Sequence, residues 1–250
     1  MFNRKKTVPA PAATVPHSPA ISLEKLPASL VSLAKTAAVS LEKNGASGQR
    51  AAVYLVVDRS GSMASYFRNG AVQRLADQAL GLSVNLDDDG TVPLVFFDSQ
   101  PYPIVDVSLD RYQGVVAQQH QLHGGDRTMG GTQYALAMRA VVEHYQDSGA
   151  TDPALVIFQT DGEPQDRDTA RLQLAQASKL PIFWSFVGFG FNEVDFLKRL
   201  DTMRGRYLDN ASYFHAGADP TGLADAALYD GITAEFGAWL IEARGKGLLP

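Results

Sequence analysis

From Ala51 onward, short runs of consecutive apolar residues alternate with stretches of helical periodicity, and that alternation restricts the possible folds more than any other feature. The apolar runs are Val53–Val57, "TVPLVFF", "ALVIF" and "IFWSFV". They are continuous rather than alternating, as expected of strands buried on both faces of a parallel sheet. Helical patterns lie between them: Val72, Leu75, Ala79 and Leu82 on one face, then Ala135, Met138, Val142 and Tyr145 on another. Further helices are expected at Thr169–Lys179, at Glu193–Leu200 with Asn192 as N-cap, and in a last helix aligning Leu228, Ile232, Phe236 and Trp239. "YPIVDV" follows "TVPLVFF" closely enough to form a hairpin, and a mixed helix near Asp110–Gln119 and a short "SYF" strand complete the order. The expected fold is α/β: a doubly wound, mostly parallel central sheet with one antiparallel edge hairpin and helices on both faces.

Ahead of this unit, "MFNRKKTVPAPAATVPHSPA" is rich in Pro and Ala without apolar periodicity, and residues 1–20 read as a flexible tail. Residues 21–46 read as an N-terminal helical extension, with Leu30, Leu33, Ala37 and Leu41 on one face, Pro27 at its start and "NGASG" at its stop. This helix is expected to pack beside the main sheet. The doubly wound domain itself is expected over 51–244. With 45% hydrophobic and 20% charged residues, 250 residues suffice for one sizeable core.

Composition also excludes function classes. A net charge of −5, with the one basic cluster (Arg4, Lys5, Lys6) in the tail, argues against nucleic acid as a partner. The absence of cysteine removes disulfides, thiolate metal sites and a Cys nucleophile. No apolar segment follows the N-terminal charges as a secretory signal requires. "LPIFWSFVGFGF" is far short of the roughly 20 residues of a membrane span. A cytoplasmic location is the expectation.

In open α/β sheets, ligands bind beyond the carboxyl ends of the strands, where the strand order reverses. Three loops carry small oxygen-bearing residues to that edge: "DRSGS" after the first strand, "GGT" before the third main helix and "TDGEP" after "ALVIF". If those two strands are neighbours, Asp58 and Asp161 face each other across the crevice. Ser60 and Ser62 can aim hydroxyls at one point, and Thr132 can add a third. An oxygen-only set with two carboxylates suits a hard divalent cation, Mg2+ first, with Mn2+ or Ca2+ as alternatives.

The string D-x-S-x-S as "DRSGS" (Asp58, Ser60, Ser62), Thr132 in "GGT" and Asp161 in "TDGEP" resemble, in order and spacing, the metal-ion-dependent adhesion site (MIDAS) of the von Willebrand factor A (vWA) family. The resemblance covers about Ala51 to Glu242. "DRSGSM", with the "SLVSLAK" helix ahead of it, is similar to the bacterial tellurium-resistance (Ter) branch of that family. The resemblance implies a vWA fold in which Ser60, Ser62 and Thr132 touch the metal while Asp58 and Asp161 orient metal-bound waters. It also implies that an acidic group of a protein partner completes the coordination, and that the setting is a cytoplasmic stress or tellurium response.

Other residues carry two readings each. Glu163 and Asp126 either enlarge an acidic rim or are solvated surface, and Asp98 either orients the first loop or merely ends a strand. His120 and His123 lack zinc spacing and fit ordinary exposure in a loop, while His144 and His215 fit packing or solvent. The enzyme alternative is a Mg-dependent phosphohydrolase using Asp58 at the sheet edge. It lacks the second aspartate, since Ser60 stands two beyond Asp58, and a well-placed lysine. Neither a G-x-S-x-G elbow nor a P-loop string occurs. No catalytic residue is expected.

Overall fold

The computed structural model describes residues 18–250. The expected tail, with its basic cluster and His17, therefore lies outside the described residues over 1–17. The described residues form a six-stranded sheet of order β3-β2-β1-β4-β5-β6. Its strands are β1 (Ala52–Asp58), β2 (Thr91–Phe97), β3 (Val105–Ser108), β4 (Ala154–Thr160), β5 (Ile182–Phe189) and β6 (Ala211–Gly217). All neighbours are parallel except β2 and β3, which form the expected edge hairpin. Starting from β1 the chain builds outward through β2 and β3, then crosses back to β4 on the other side, so the order reverses between β1 and β4.

Both faces of the sheet are covered, which is why the strand runs are continuously apolar. Val53, Leu55 and Val57 of β1 enter one core with residues of helices α1 (Ala28–Lys43), α3 (Ala71–Leu86), α8 (Asp225–Thr233) and α9 (Phe236–Gly245). Tyr54 and Val56 point the other way, into a core shared with α5 (Tyr134–Asp147), α6 (Arg167–Ala177) and α7 (Asp195–Asp201). This alternation carries Asp58, the next residue of that second set, to the α5 side at the carboxyl end of the sheet. Short helices α2 (Ala64–Arg68) and α4 (Val115–Leu122) complete the layer around the first loop.

The structure departs from several of the expected details. The mixed helix expected near Asp110–Gln119 is α4, displaced to Val115–Leu122 behind Gly114, whose φ of 71° suits the turn ahead of it. Asn192 is not the N-cap of α7; Val194 holds that position, and the Phe196 N–H donates instead to the Glu163 carboxylate at 2.9 Å. The N-terminal helix α1 packs against α3 and α8, and reaches the sheet's apolar core through them.

The last helix is broken into α8 and α9. Asn44, at the end of α1, donates through Nδ2 to the Asp230 carbonyl at 3.2 Å and the Thr233 hydroxyl at 2.8 Å. Gly237 then passes so close to this turn that a Cβ would lie 2.1 Å from the Asn44 carbonyl oxygen. That neighbour is backbone and cannot swing aside. Gly237→Ala is therefore expected to cost about 2–3 kcal/mol, the upper range for overpacking, read as a lower denaturant midpoint with unchanged slope; an unmoved midpoint would contradict this packing.

Candidate functional site

Because β1 and β4 are adjacent and parallel, the loops after them meet at the reversal point. Four of the five expected site residues join there in one hydrogen-bonded row. The Asp58 Oδ1 accepts from the Ser60 N–H at 2.6 Å, and the Ser60 and Ser62 Oγ atoms are 3.2 Å apart. The Ser62 hydroxyl donates to Asp161 Oδ1 at 2.7 Å. Thr132 arrives by backbone: Ser60 and Gly130 form a parallel bridge, and Gly61 N–H donates to the Gly130 carbonyl at 3.2 Å. Its hydroxyl is bonded to none of the other four. A Cβ at Gly130 would lie 2.9 Å from both the Asp98 carboxyl carbon and Ser99 Oγ, so only glycine lets this loop approach the strand ends so closely.

Asp58 is fully buried. Burial pushes its carboxyl up to about 7, opposed by hydrogen bonds from Thr160 and Ser60. The Thr160 hydroxyl donates to Asp58 Oδ2 at 2.6 Å and lies 3.3 Å from the Gly162 carbonyl and from the hydroxyl of Tyr134. Asp161, at the rim, is raised as well, again by burial, with the Ser62 hydrogen bond working against it.

Sequence reasoning missed the residue that organises the neighbouring loop. Arg59 is fully buried, and its guanidinium spans two segments. One nitrogen donates to Asp98 Oδ2 at 3.1 Å, the Tyr102 hydroxyl at 3.0 Å and the Thr128 carbonyl at 3.2 Å. The other donates to the carbonyls of His123 and Gly125, each at 2.8 Å, and to Thr128 Oγ1 at 2.7 Å. Tyr102 closes the triangle by donating to Asp98 Oδ2 at 2.6 Å. Asp98 thus orients the first loop through Arg59 and also shapes the strand-end turn by accepting from the Gln100 N–H at 3.3 Å. Arginine in a Ser/Gly loop carries no sequence signal for burial.

Asp166 is a second missed positioning residue. Its two oxygens accept from the Tyr134 and Ala135 N–H groups at 2.9 and 2.8 Å, capping α5 from a different loop. With Gln165 N–H on the Thr132 carbonyl at 2.9 Å, it ties the Thr132 segment to the loop of Asp161. A carboxylate at a helix N-terminus satisfies orphan donors and complements the dipole.

The remaining candidates resolve as follows. Glu163 caps Phe196 and pairs with Arg167 at 3.1 Å, and Asp126 pairs with Arg68 at 2.6 Å and His120 at 2.9 Å. His120 is not exposed, as expected, but buried on α4, stacked on Phe67 with ring centroids 4.3 Å apart. His123 lies beside Tyr102 with centroids 4.3 Å apart, His144 meets the Tyr54 hydroxyl at 3.0 Å, and His215 meets the Gly190 carbonyl at 2.9 Å.

The donor set fits a hard cation. Adjacent ligands of an octahedral ion at roughly 2.0–2.1 Å lie about 3 Å apart, and those of a larger Ca2+ about 3.3–3.7 Å, so hydroxyls 3.2 Å apart suit this class of ions. Among the described residues no group of three or more His, Cys, Asp or Glu side chains is placed to hold a metal. An ion here must therefore rely on hydroxyls.

Residues 50–249 match the family vWA-TerF-like, described as "vWA found in TerF C terminus". Over 216 residues the chain is 31% identical to the uncharacterized protein YcbR of Bacillus subtilis (strain 168), covering 86% of this chain and 88% of that protein. Its fold is similar to proximal thread matrix protein 1 from the mussel byssus, with a TM-score of 0.50 and 16% identity over 74% of this chain and 48% of the other. A von Willebrand factor type A structure from Catenulispora acidiphila gives a TM-score of 0.50 and 17% identity over 75% of this chain and 42% of the other. The chain thus spans about half the length of these solved chains. No described helix is long and apolar enough to cross a membrane.

Proposed function

We propose, for a chain that belongs to the vWA-TerF-like family, that the oxygen row at the β1/β4 reversal is a MIDAS, and that the protein is a binding module recognising an acidic group of a protein partner through a divalent cation. The observation that carries this reading is the continuous row Asp58, Ser60, Ser62 and Asp161, with Thr132 held beside it by the Gly130 bridge. In this reading Ser60, Ser62 and Thr132 hold the ion directly, and Asp58 and Asp161 hold its waters. Mg2+ is favoured because this set offers few direct carboxylates and leaves room for water.

The ion's contribution is a positive charge left incompletely neutralised, which attracts a partner's Asp or Glu. This chain's residues keep it so. Hydroxyls are neutral ligands, and the Asp58 oxygens already accept from Ser60 and Thr160. The phosphohydrolase alternative gains no support, because Glu163 and Asp166 are committed to capping backbone N–H groups. A role in a bacterial stress or tellurium-resistance system, in the cytoplasm, belongs to the same reading and rests on the TerF-type family alone.

The reading predicts a pH dependence. Without metal, Asp58 titrates at about 7 in the folded chain and near its ordinary 3.8 when unfolded. Below both values that group's contribution to stability is fully present, and it is lost as pH rises through about 7. A cation competes with the same proton, so the metal-induced rise in Tm is expected to be larger at pH 8 than at pH 6. Thermal unfolding with and without Mg2+ at both values checks this; equal rises would contradict it. The reading as a whole is tested by capturing an acidic-surfaced partner with Mg2+ present and releasing it with chelator. Capture indifferent to chelator would count against the metal.

A further inference from the structure

Four arginines, Arg167, Arg171, Arg199 and Arg204, line a cavity of about 410 Å3 between α6 and the segment through and beyond α7. Arg167 pairs with Glu163 at 3.1 Å, whereas the other three form no ion pair with any described carboxylate, Asp168 on the same wall included. A second cavity of about 310 Å3 continues from Arg171 and Arg204 onto Leu172 and Met203, and Leu172 is 64% exposed. At the other end, a depression lined by residues 163–169 shares Arg167 and Asp168, and it begins two residues beyond Asp161. The two cavities share Asp168, Arg171, Met203 and Arg204 and form one groove beside α6, while the depression toward the candidate metal loop carries Glu163, Asp166 and Asp168 as well as Arg167. Arg167 and Arg171, four apart on that helix, face the same side.

We propose that this groove docks an acidic, partly apolar segment of a protein partner. Its carboxylates pair with Arg171, Arg199 and Arg204, and its apolar side chains cover Leu172 and Met203. Guanidinium groups without an acidic partner among the described residues are charge-complementary to carboxylates and bind them bidentately. The apolar residues between them favour a peptide over a phosphate backbone. The groove stands on its own geometry and is independent of the reading of the metal site given above.

The test uses a fluorescein-labelled twelve-residue peptide of alternating Glu and Leu, followed by fluorescence anisotropy at low salt. It is run on the full chain, on Arg171→Glu/Arg204→Glu and on Asp58→Asn, each verified as folded by circular dichroism. The double reversal is expected to weaken binding about tenfold or more, since like charges then face each other. Added salt is expected to weaken the unmutated complex. Groove binding persists in chelator and in Asp58→Asn, so a failure of the metal reading leaves this result intact. Binding unchanged by the double reversal would overturn the proposal. So would tighter binding of an oligothymidine of equal charge, or a dimer of the chain that the reversal dissociates.

Discussion

Asp98→Ala is expected to lower the thermal midpoint by roughly 6–20 °C, the largest loss for any single side chain in the candidate site. Arg59 and Asp98 are both buried and lie 3.1 Å apart. Removing one partner of such a pair typically costs about 3–5 kcal/mol, because the other charge remains buried and uncompensated. In a domain of this size each kcal/mol is worth roughly 2–4 °C. Arginine cannot escape by giving up its proton, so the cost falls on the fold. The guanidinium would keep its carbonyl partners at His123, Gly125 and Thr128 but lose its one carboxylate partner among the described residues. The double variant Arg59→Met/Asp98→Ala removes the stranded charge and is expected to be more stable than Asp98→Ala alone. Unfolding curves of the two decide the matter, and a double variant less stable than the single one would show that the carbonyl contacts outweigh the charge.

The second large effect concerns Asp58→Asn. At about one hundred times the dissociation constant, Mg2+ or Mn2+ bound at the proposed site is expected to add about 2.7 kcal/mol to the stability of the unmutated chain, a rise of roughly 5–11 °C. The substitution is expected to remove all of that rise. The metal-free variant at pH 8 is nonetheless expected to be at least as stable as its parent. Burial disfavours the charged form of Asp58, and the amide is neutral. Its oxygen can accept from the Ser60 N–H as the carboxylate does, while its NH2 faces the Thr160 hydroxyl, which can accept and turn its own proton to the Gly162 carbonyl 3.3 Å away. A destabilised apo variant would point to a structural role for the charge instead. Differential scanning fluorimetry of both proteins with metal and with chelator separates the cases.

Features governed by local pattern were legible in the sequence. Apolar runs marked β1, β2, β4 and β5, and their continuity announced a sheet covered on both faces. The position of Asp58 and Asp161 at the ends of two strands depended only on where those runs stop. Features set by distant contacts were not legible. The break before Phe236 comes from Asn44 at the end of α1, almost two hundred residues earlier in the chain. Glu163 takes the capping role expected of Asn192 because the loop after β4 lies against the start of α7. His120 is buried because α2 brings Phe67 over its ring. Arg59 and Asp166 are charged residues in loops, which periodicity assigns to solvent; only the tertiary fold supplies the carboxylate and the N–H groups that hold them.

Hydroxyls and carboxylates from three loops are proposed to hold one hard divalent cation. Isothermal titration of the chelator-treated chain with Mn2+, repeated on Asp58→Asn and on Ser60→Ala/Ser62→Ala, tests it most directly. One ion per chain is expected for the unmutated protein, with loss of that binding in both variants. Absence of saturable binding in the unmutated chain, or binding that survives both substitutions, would contradict it.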